Sequence, residues 1–129
     1  MNIYKVQPIF SHPTHPFELT IDAPGSKSIT NRALMLAALA NGETLLKGAL
    51  FSDDSRHFLQ CLKDLGFDVV VDEPAHTVRV TGLGGRIPKE TAAINVGSAG
   101  TAARFLTAML GCAKGVWHLD ASEQMKKRP

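Results

Sequence analysis

The chain has 129 residues, 44% hydrophobic and 20% charged; these are globular proportions and exclude general disorder and a fibrous repeat. The net charge of +2 indicates no polyanion-binding surface, and one Trp and one Tyr make no stacking platform for nucleic acid. No apolar run approaches the roughly 20 residues of a membrane span, and the start of the chain lacks an apolar signal core. Cys61 and Cys112 form no disulfide framework, which predicts a reducing, cytoplasmic setting.

The first predicted elements are a strand, a turn and a helix. Residues 17–21 alternate apolar and polar side chains, which is typical of a half-buried strand. Small residues at 23–28 then predict a turn, and the Ala- and Leu-rich stretch 29–40 carries apolar residues at helical spacing. Either Ser28 or Thr30 is the predicted N-cap of this helix.

A short strand and a second helix are predicted next. The helix ends at Asn41-Gly42, and residues 43–47 form the strand. Ser52 and the two aspartates after it supply N-cap candidates and negative charge for the second helix, which Gly66 ends. Its apolar stripe consists of Phe58, Leu59, Leu62 and Leu65.

The rest of the chain predicts a β-hairpin followed by a strand, a helix and a strand. The hairpin joins the β-branched runs 67–71 and 77–80 through a polar turn. The last three elements are a strand over 92–96, a helix over 101–113 and a strand over 116–119. The order β-α-β-α-β-β and then β-α-β indicates an α/β protein.

An internal repeat is the most informative feature of the sequence. A shift of 72 positions aligns Gly25-Ser26 with Gly97-Ser98, and each pair follows a strand and opens a helix. The same shift aligns Arg32 with Arg104, Leu34 with Leu106 and Arg56 with Arg128. The period is too long for a solenoid and predicts a duplicated subdomain, with a first unit over 17–88 and an incomplete second unit over 89–129.

The first Gly-Ser junction is a candidate anion site. Its Gly allows close approach of the backbone, the N-terminus of the following helix favours negative charge, and Lys27 adds a mobile cation. Arg32 lies four residues after Ser28 on the same helix face. The glycine spacing of a Walker motif is absent, and the alternative interpretation is a capped helix with two solvated basic side chains.

The second Gly-Ser junction is also a glycine-containing turn before a helix N-terminus that favours an anion, but it has no lysine. Gly97 and Gly100 expose backbone donors, and a side chain at Gly100 would point towards any ligand there. The basic run 126–128 aligns with the region of Arg56, which favours a helix start over a solvated end.

Other reactive residue types have plainer explanations. The five histidines show no metal-ligand spacing, so we expect no metal. Asp53 and Asp54 are adjacent on a helix and point apart, so capping explains them better than paired catalysis does. Cys61 lies beside an apolar stripe, which favours a core position over a nucleophile.

Four blocks of the sequence resemble the signatures of the 5-enolpyruvylshikimate-3-phosphate (EPSP) synthase family, also called 3-phosphoshikimate 1-carboxyvinyltransferases. The blocks are PGSKSITNRAL (24–34), SDDSRH (52–57), VGSAGTAAR (96–104) and MKKRP (125–129), in the family's order and spacing. Ser98, where many members have Asn, and Phe105, where many have Pro, are departures that remove no charged contact.

The resemblance implies an enolpyruvyl transferase (inverse α/β barrel) fold made of βαβαββ units. The family has two domains of three such units, so this chain would hold one complete unit and part of a second. Residues 1–16 would be a strand and loop that pack with the other domain. The acidic residues expected as general acid and base would lie beyond residue 129.

The resemblance also implies the chemistry. The family transfers the enolpyruvyl group of phosphoenolpyruvate to the 5-hydroxyl of shikimate 3-phosphate and releases phosphate, with no metal or organic cofactor. Lys27 would be catalytic and contact both substrates, Ser28 and Arg32 would bind shikimate 3-phosphate, and Gly100 and Arg128 would bind phosphoenolpyruvate. Glyphosate occupies the phosphoenolpyruvate site in this family, and Gly100 is the residue type of a sensitive enzyme.

These observations together predict an N-terminal portion of such a transferase, inactive alone and monomeric at full length. An uncovered edge would favour self-association of the 129 residues. Two alternatives remain. One is the sibling enzyme that uses UDP-N-acetylglucosamine as acceptor, whose reactive-cysteine loop is not visible here. The other is a phosphate-binding module without catalysis.

Overall fold

A computed structural model describes residues 3–6 and 20–128 of the chain. Its elements in chain order are α1 (Lys27–Leu39), β1 (Asn41–Lys47), α2 (Asp53–Asp64), β2 (Asp68–Asp72), β3 (Thr77–Leu83), β4 (Thr91–Asn95), α3 (Gly100–Gly111), β5 (Val116–Asp120) and α4 (Glu123–Lys126). The predicted α/β order is therefore confirmed from the first helix onward. Residues 17–19 of the predicted first strand lie outside the described residues, and Thr20 and Ile21 are not in a strand.

Helix α1 begins earlier than predicted because Ser26 caps it. The Ser26 backbone is extended, and its hydroxyl accepts a hydrogen bond from the N–H of Ile29 at 3.4 Å. The prediction of Ser28 or Thr30 as the cap is wrong, since both lie inside the helix. Thr30 is buried instead, and its hydroxyl accepts from the N–H of Leu50 at 3.1 Å. That bond ties α1 to the loop after β1.

Helix α2 has the predicted bounds and a capping box. The Ser52 hydroxyl accepts from the N–H of Ser55 at 3.4 Å, and the Ser55 hydroxyl accepts from the N–H of Ser52 at 2.8 Å. Asp53 and Asp54 occupy the first turn, where their charge is favourable to the helix dipole. The helix stops before Gly66, whose φ is +92°.

Two sheets accompany the helices. The first is antiparallel with strand order β1-β3-β2, and it contains the predicted hairpin, β2 with β3. Val78 and Val80 of the central strand β3 are fully buried. The second sheet pairs β4 with β5 in parallel, and α3 forms the crossover between them.

One hydrophobic core joins both sheets, because α1, α2 and α3 pack against one another as well as against strands. Its largest fully buried side chains include Leu34, Phe58, Leu62, Leu65 and Leu106. Gly82 of β3 lies against the carbonyl groups of Ala37 and Ala40, so α1 approaches the sheet too closely for any side chain there. The mutual packing of the three helices fixes how their N-termini lie relative to one another. No helix in the described residues is long and apolar enough to span a membrane.

Candidate functional site

The first junction is built by close contact between two backbone segments. A Cβ on Gly25 would meet the carbonyl oxygen of Gly48 and lie 3.2 Å from the backbone nitrogen of Leu50. Only glycine fits this contact, which brings the chain to the Ser26 cap and makes Lys27 the first residue of α1. Lys27 therefore lies where the leading N–H groups of a helix favour an anion.

Lys27 forms an ion pair across two helices. Its Nζ atom lies 3.1 Å from Oδ2 of Asp54, in the first turn of α2. The Lys27 side chain is 51% exposed and that of Asp54 is 25% exposed, so the pair leaves the ammonium group accessible. Asp54 was explained from sequence by helix capping alone. Nothing in the local sequence indicates this contact, because it depends on how α1 packs against α2.

Ser28 and Arg32 lie together on the exposed face of α1. An Nη1 hydrogen of Arg32 is donated to the backbone carbonyl of Ser28 at 3.2 Å. This contact is the one expected of residues four apart on a helix. The Ser28 hydroxyl and most of the guanidinium remain available to a ligand, since both residues are exposed.

The second junction is held by side chains from two other elements. Gly97 has a φ of +55°, and its N–H donates to Oδ1 of Asn95 at 2.8 Å. The imidazole of His57 lies directly against Gly97, where a Cβ would meet the Nε2 atom of the ring. Sequence reasoning missed His57, since its contact with the loop arises only from the packing of α2 beside β4.

Gly100 and Arg128 are brought together at the start of α3. Ala99 provides no side-chain cap, so leading N–H groups of α3 are free of side-chain partners within the described residues. The Nη1 atom of Arg128 lies 3.7 Å from the position of a Cβ on Gly100. A backbone donor site and a guanidinium therefore face the same small volume, an arrangement suited to a phosphate or carboxylate.

The basic run 126–128 differs from its predicted form. The single turn α4 begins after Ser122 and ends at Lys126, so the run starts at the last residue of a helical turn and not at its first. Lys126 lies 2.9 Å from Asp120 and 3.1 Å from Glu123. Hydrogen bonding to Asp120 and then to Glu123 raises the pKa of Lys126, so Lys126 stays protonated and its charge is balanced by two carboxylates.

Arg56, which aligns with Arg128 at the 72-residue shift, is also paired with a carboxylate. Its Nη2 atom donates to Oε2 of Glu73 at 2.7 Å, and its Nε atom donates to Oε1 at 3.2 Å. The hydrogen bond to Glu73 raises the pKa of Arg56, and the same bond lowers the pKa of Glu73. Two aligned arginines thus have different surroundings.

An open cleft of about 730 Å³ lies between the start of α2 and the loop before α3. Its lining residues are Asp53, Asp54, Arg56, His57, Gln60, Asn95, Gly97, Ser98 and Ser122. Gly97 and Ser98 of the second junction line this cleft, as does Asp54, the partner of Lys27. The predicted site residues Lys27, Ser28, Arg32, Gly100 and Arg128 are not among its lining residues. Across residues 3–6 and 20–128, no three His, Cys, Asp or Glu side chains are grouped to hold a metal ion.

A family model described as EPSP synthase (3-phosphoshikimate 1-carboxyvinyltransferase) matches residues 12–129. The chain belongs to this family. A 3-phosphoshikimate 1-carboxyvinyltransferase of Trichormus variabilis is 46% identical over 114 residues, which are 88% of this chain and 27% of that relative. One of Opitutus terrae is 46% identical over 118 residues, or 90% of this chain and 27% of the relative.

A solved EPSP synthase from Acinetobacter baumannii has the same fold. It matches with a TM-score of 0.75 and 29% identity over 84% of this chain and 24% of that protein. The predicted enolpyruvyl transferase fold is therefore confirmed for the part of that fold which this chain contains. The chain spans about 27% of the length of the curated EPSP synthase relatives.

Proposed function

We propose that this chain supplies the phosphate-facing loops of an enzyme that transfers an enolpyruvyl group from phosphoenolpyruvate to shikimate 3-phosphate. The observation that carries the proposal is the pairing of two helix N-termini with cations, Lys27 on α1 and Arg128 beside Gly100 of α3. Both substrates carry a phosphate and a carboxylate, which are the groups that such N-termini and cations bind. The family match over residues 12–129 supports this choice of substrates.

The residue roles follow from position and charge. Lys27 contacts both substrates and is the catalytic residue of this segment, because its ammonium group is accessible at the start of α1. Ser28 and Arg32 bind shikimate 3-phosphate from the exposed face of the same helix. The backbone at Gly100 and the guanidinium of Arg128 bind phosphoenolpyruvate.

The reaction proceeds by addition and elimination. A proton is added to the methylene carbon of phosphoenolpyruvate, and the 5-hydroxyl of shikimate 3-phosphate attacks the neighbouring C2 atom and loses its own proton. The tetrahedral intermediate then loses inorganic phosphate and a proton from the new methyl group, which restores the double bond as an enolpyruvyl ether. Fixed cations and helix N-termini stabilise the negative charge on the departing phosphate.

Several features of the organisation remain predictions. We propose that residues 17–88 and 89–129 are successive βαβαββ units, the second incomplete, and that residues 1–16 pack with another domain. The monomeric state of the complete enzyme, self-association of the 129 residues and a cytoplasmic setting also stay predictions. No cofactor is part of the proposed reaction.

The test is the substitution Lys27→Met in the protein expressed at the length that its gene encodes. Methionine keeps most of the side-chain volume and removes the charge, so we expect kcat to fall at least about a hundredfold. Phosphate release from phosphoenolpyruvate is measured with shikimate 3-phosphate as acceptor, and circular dichroism checks the fold. Lys63→Met, which removes an exposed charge from the last turn of α2, is the matched control.

Three results would contradict the proposal. Unchanged phosphate release in Lys27→Met would remove the role of Lys27. Turnover with UDP-N-acetylglucosamine but not with shikimate 3-phosphate would assign the sibling reaction. Binding of both substrates without turnover of either acceptor would indicate a phosphate-binding module.

A further inference from the structure

Ser98 and Ser122 join the two segments that carry Gly100 and Arg128. Their hydroxyl oxygens lie 2.7 Å apart, within hydrogen-bond distance. Beside them, the N–H of Ser122 donates to the carbonyl of Gly97 at 2.9 Å. The residue that begins the α4 turn is therefore fixed to the loop before α3 through both its backbone and its side chain.

The other end of the α4 turn returns to the start of α3. The Ser122 hydroxyl accepts from the N–H of Met125 at 3.2 Å, and the N–H of Arg128 donates to the carbonyl of Met125 at 3.0 Å. Arg128 Nη1 and Met125 Cε then lie 3.7 and 3.8 Å from the Cβ position of Gly100. The α4 turn is thus held at both ends, at Ser98 in the loop before α3 and beside Gly100, the first residue of α3.

We propose that the Ser98–Ser122 hydroxyl pair is a positioning contact that sets the placement of Arg128 against the N-terminus of α3. Neither hydroxyl needs to touch the substrate. The pair fixes the base of a short turn whose far end carries the guanidinium, so loss of the pair lets Arg128 move away from the leading N–H groups of α3. This inference rests on the proposed function, because it assigns phosphoenolpyruvate to the volume between Gly100 and Arg128.

A positioning role has a specific kinetic signature. Ser98→Ala removes one neutral hydrogen bond and leaves the Ser122 cap of α4 in place. We expect the KM for phosphoenolpyruvate to rise about fivefold, the size of effect that one such bond produces. The KM for shikimate 3-phosphate should stay unchanged, because Ser28 and Arg32 lie on α1. A general loss of stability would instead affect both substrates or only the amount of active protein.

The experiment compares Ser98→Ala and four further variants with the wild type, all at the length that the gene encodes. Ser98→Thr keeps the hydroxyl and should restore the wild-type KM for phosphoenolpyruvate. Ser122→Ala should raise that KM at least as much as Ser98→Ala does. The double variant should have the same KM for phosphoenolpyruvate as Ser122→Ala, because Ser122→Ala alone already removes the contact between the two hydroxyl groups. Thr107→Ala, an exposed hydroxyl further along α3, is the matched control and should change neither KM.

Calorimetric binding of phosphoenolpyruvate separates the possible failures. An unchanged affinity in Ser98→Ala, equal losses for both substrates, or additive effects in the double variant would overturn the positioning role. A wild type that binds phosphoenolpyruvate without turnover would contradict the transfer reaction, and the ratio of dissociation constants would still decide the role of Ser98. A wild type that binds no phosphoenolpyruvate would overturn both.

Discussion

At the scale of single residues, Gly97 is subject to two separate constraints, one on its backbone and one on the space beside it. Its φ of +55° lies in the left-handed region, and the imidazole of His57 occupies the place of a side chain. Gly85 has a φ of +87° with open space around its Cβ position, so it carries the backbone constraint alone. A comparison of substitutions at the two glycines therefore distinguishes the cost of backbone strain from the cost of a steric clash.

We expect Gly97→Ala to lower the free energy of unfolding by about 3 kcal/mol, and Gly85→Ala by about 1 kcal/mol. In a His57→Ala background, the cost of Gly97→Ala should fall towards that of Gly85→Ala, because the steric part is then relieved. Urea denaturation of the four variants measures these differences. Equal costs at the two glycines would show that His57 does not hold the loop.

A second residue with a distinct environment is Cys61, which is fully buried on α2 with its Sγ atom 3.3 Å from the carbonyl oxygen of Asn95. Burial, and then the negative charge of Asp64, raise the pKa of its thiol to about 11 from a usual 9.0. Cys112 is exposed. The two thiols should therefore react very differently while the protein is folded.

We expect iodoacetamide at pH 8 to modify Cys112 in the folded protein and to modify Cys61 only after unfolding.

The raised pKa of Cys61 also makes the stability of the fold depend on pH. The unfolded chain releases the thiol proton near pH 9.0 and the folded chain only near pH 11, so stability falls as pH rises between these values. The loss is on the order of 2 kcal/mol, and Cys61→Ala should remove it. An equal pH slope in Cys61→Ala would contradict this assignment.

At the scale of elements, the sequence predicts bounds well and contacts poorly. Apolar periodicity places α2 and the hairpin of β2 and β3 close to where they lie, because the same burial that makes the pattern holds the element. The cap of α1 was misplaced because three hydroxyl residues compete within five positions, and the extended backbone of Ser26 decides between them. Local propensity does not rank these candidates.

In the candidate site, too, local features were predicted from the sequence and contacts between elements were not. The two glycine junctions and Lys27 were predicted from local pattern, since a strand-to-helix turn with a basic residue has a local signature. Arg128 was assigned to the second junction only through the family resemblance. The contacts of Lys27 with Asp54 and of Gly97 with His57 were not predicted. They join residues far apart in sequence, and their existence depends on the relative placement of α1, α2 and α3.

At the scale of the whole molecule, one hydrophobic core packs against two sheets, one of three strands and one of two in the described residues. Strand β3 lies between β1 and β2, whereas β5 pairs only with β4 in the part of the chain that the structure describes. A strand with two neighbours has all its amide hydrogens inside the sheet, and an edge strand leaves part of them open to solvent.

We expect native-state hydrogen exchange of the 129-residue chain to report this difference. Amides of β3 should be protected about a hundredfold more than those of β5, because β5 can separate without opening the main core. Mass spectrometry of peptic fragments that contain each strand measures the two rates. Equal protection would show that both sheets open together as one cooperative unit.

The ion pair of Arg56 with Glu73 shows how the neighbours of a cationic side chain decide whether it is available to a ligand. Under the proposed repeat, Arg56 aligns with Arg128, and Glu73 holds the Arg56 guanidinium in an ion pair between α2 and the hairpin. The other guanidinium faces the start of α3. The two aligned arginines therefore differ in their availability to a ligand, because a carboxylate already holds the guanidinium of Arg56.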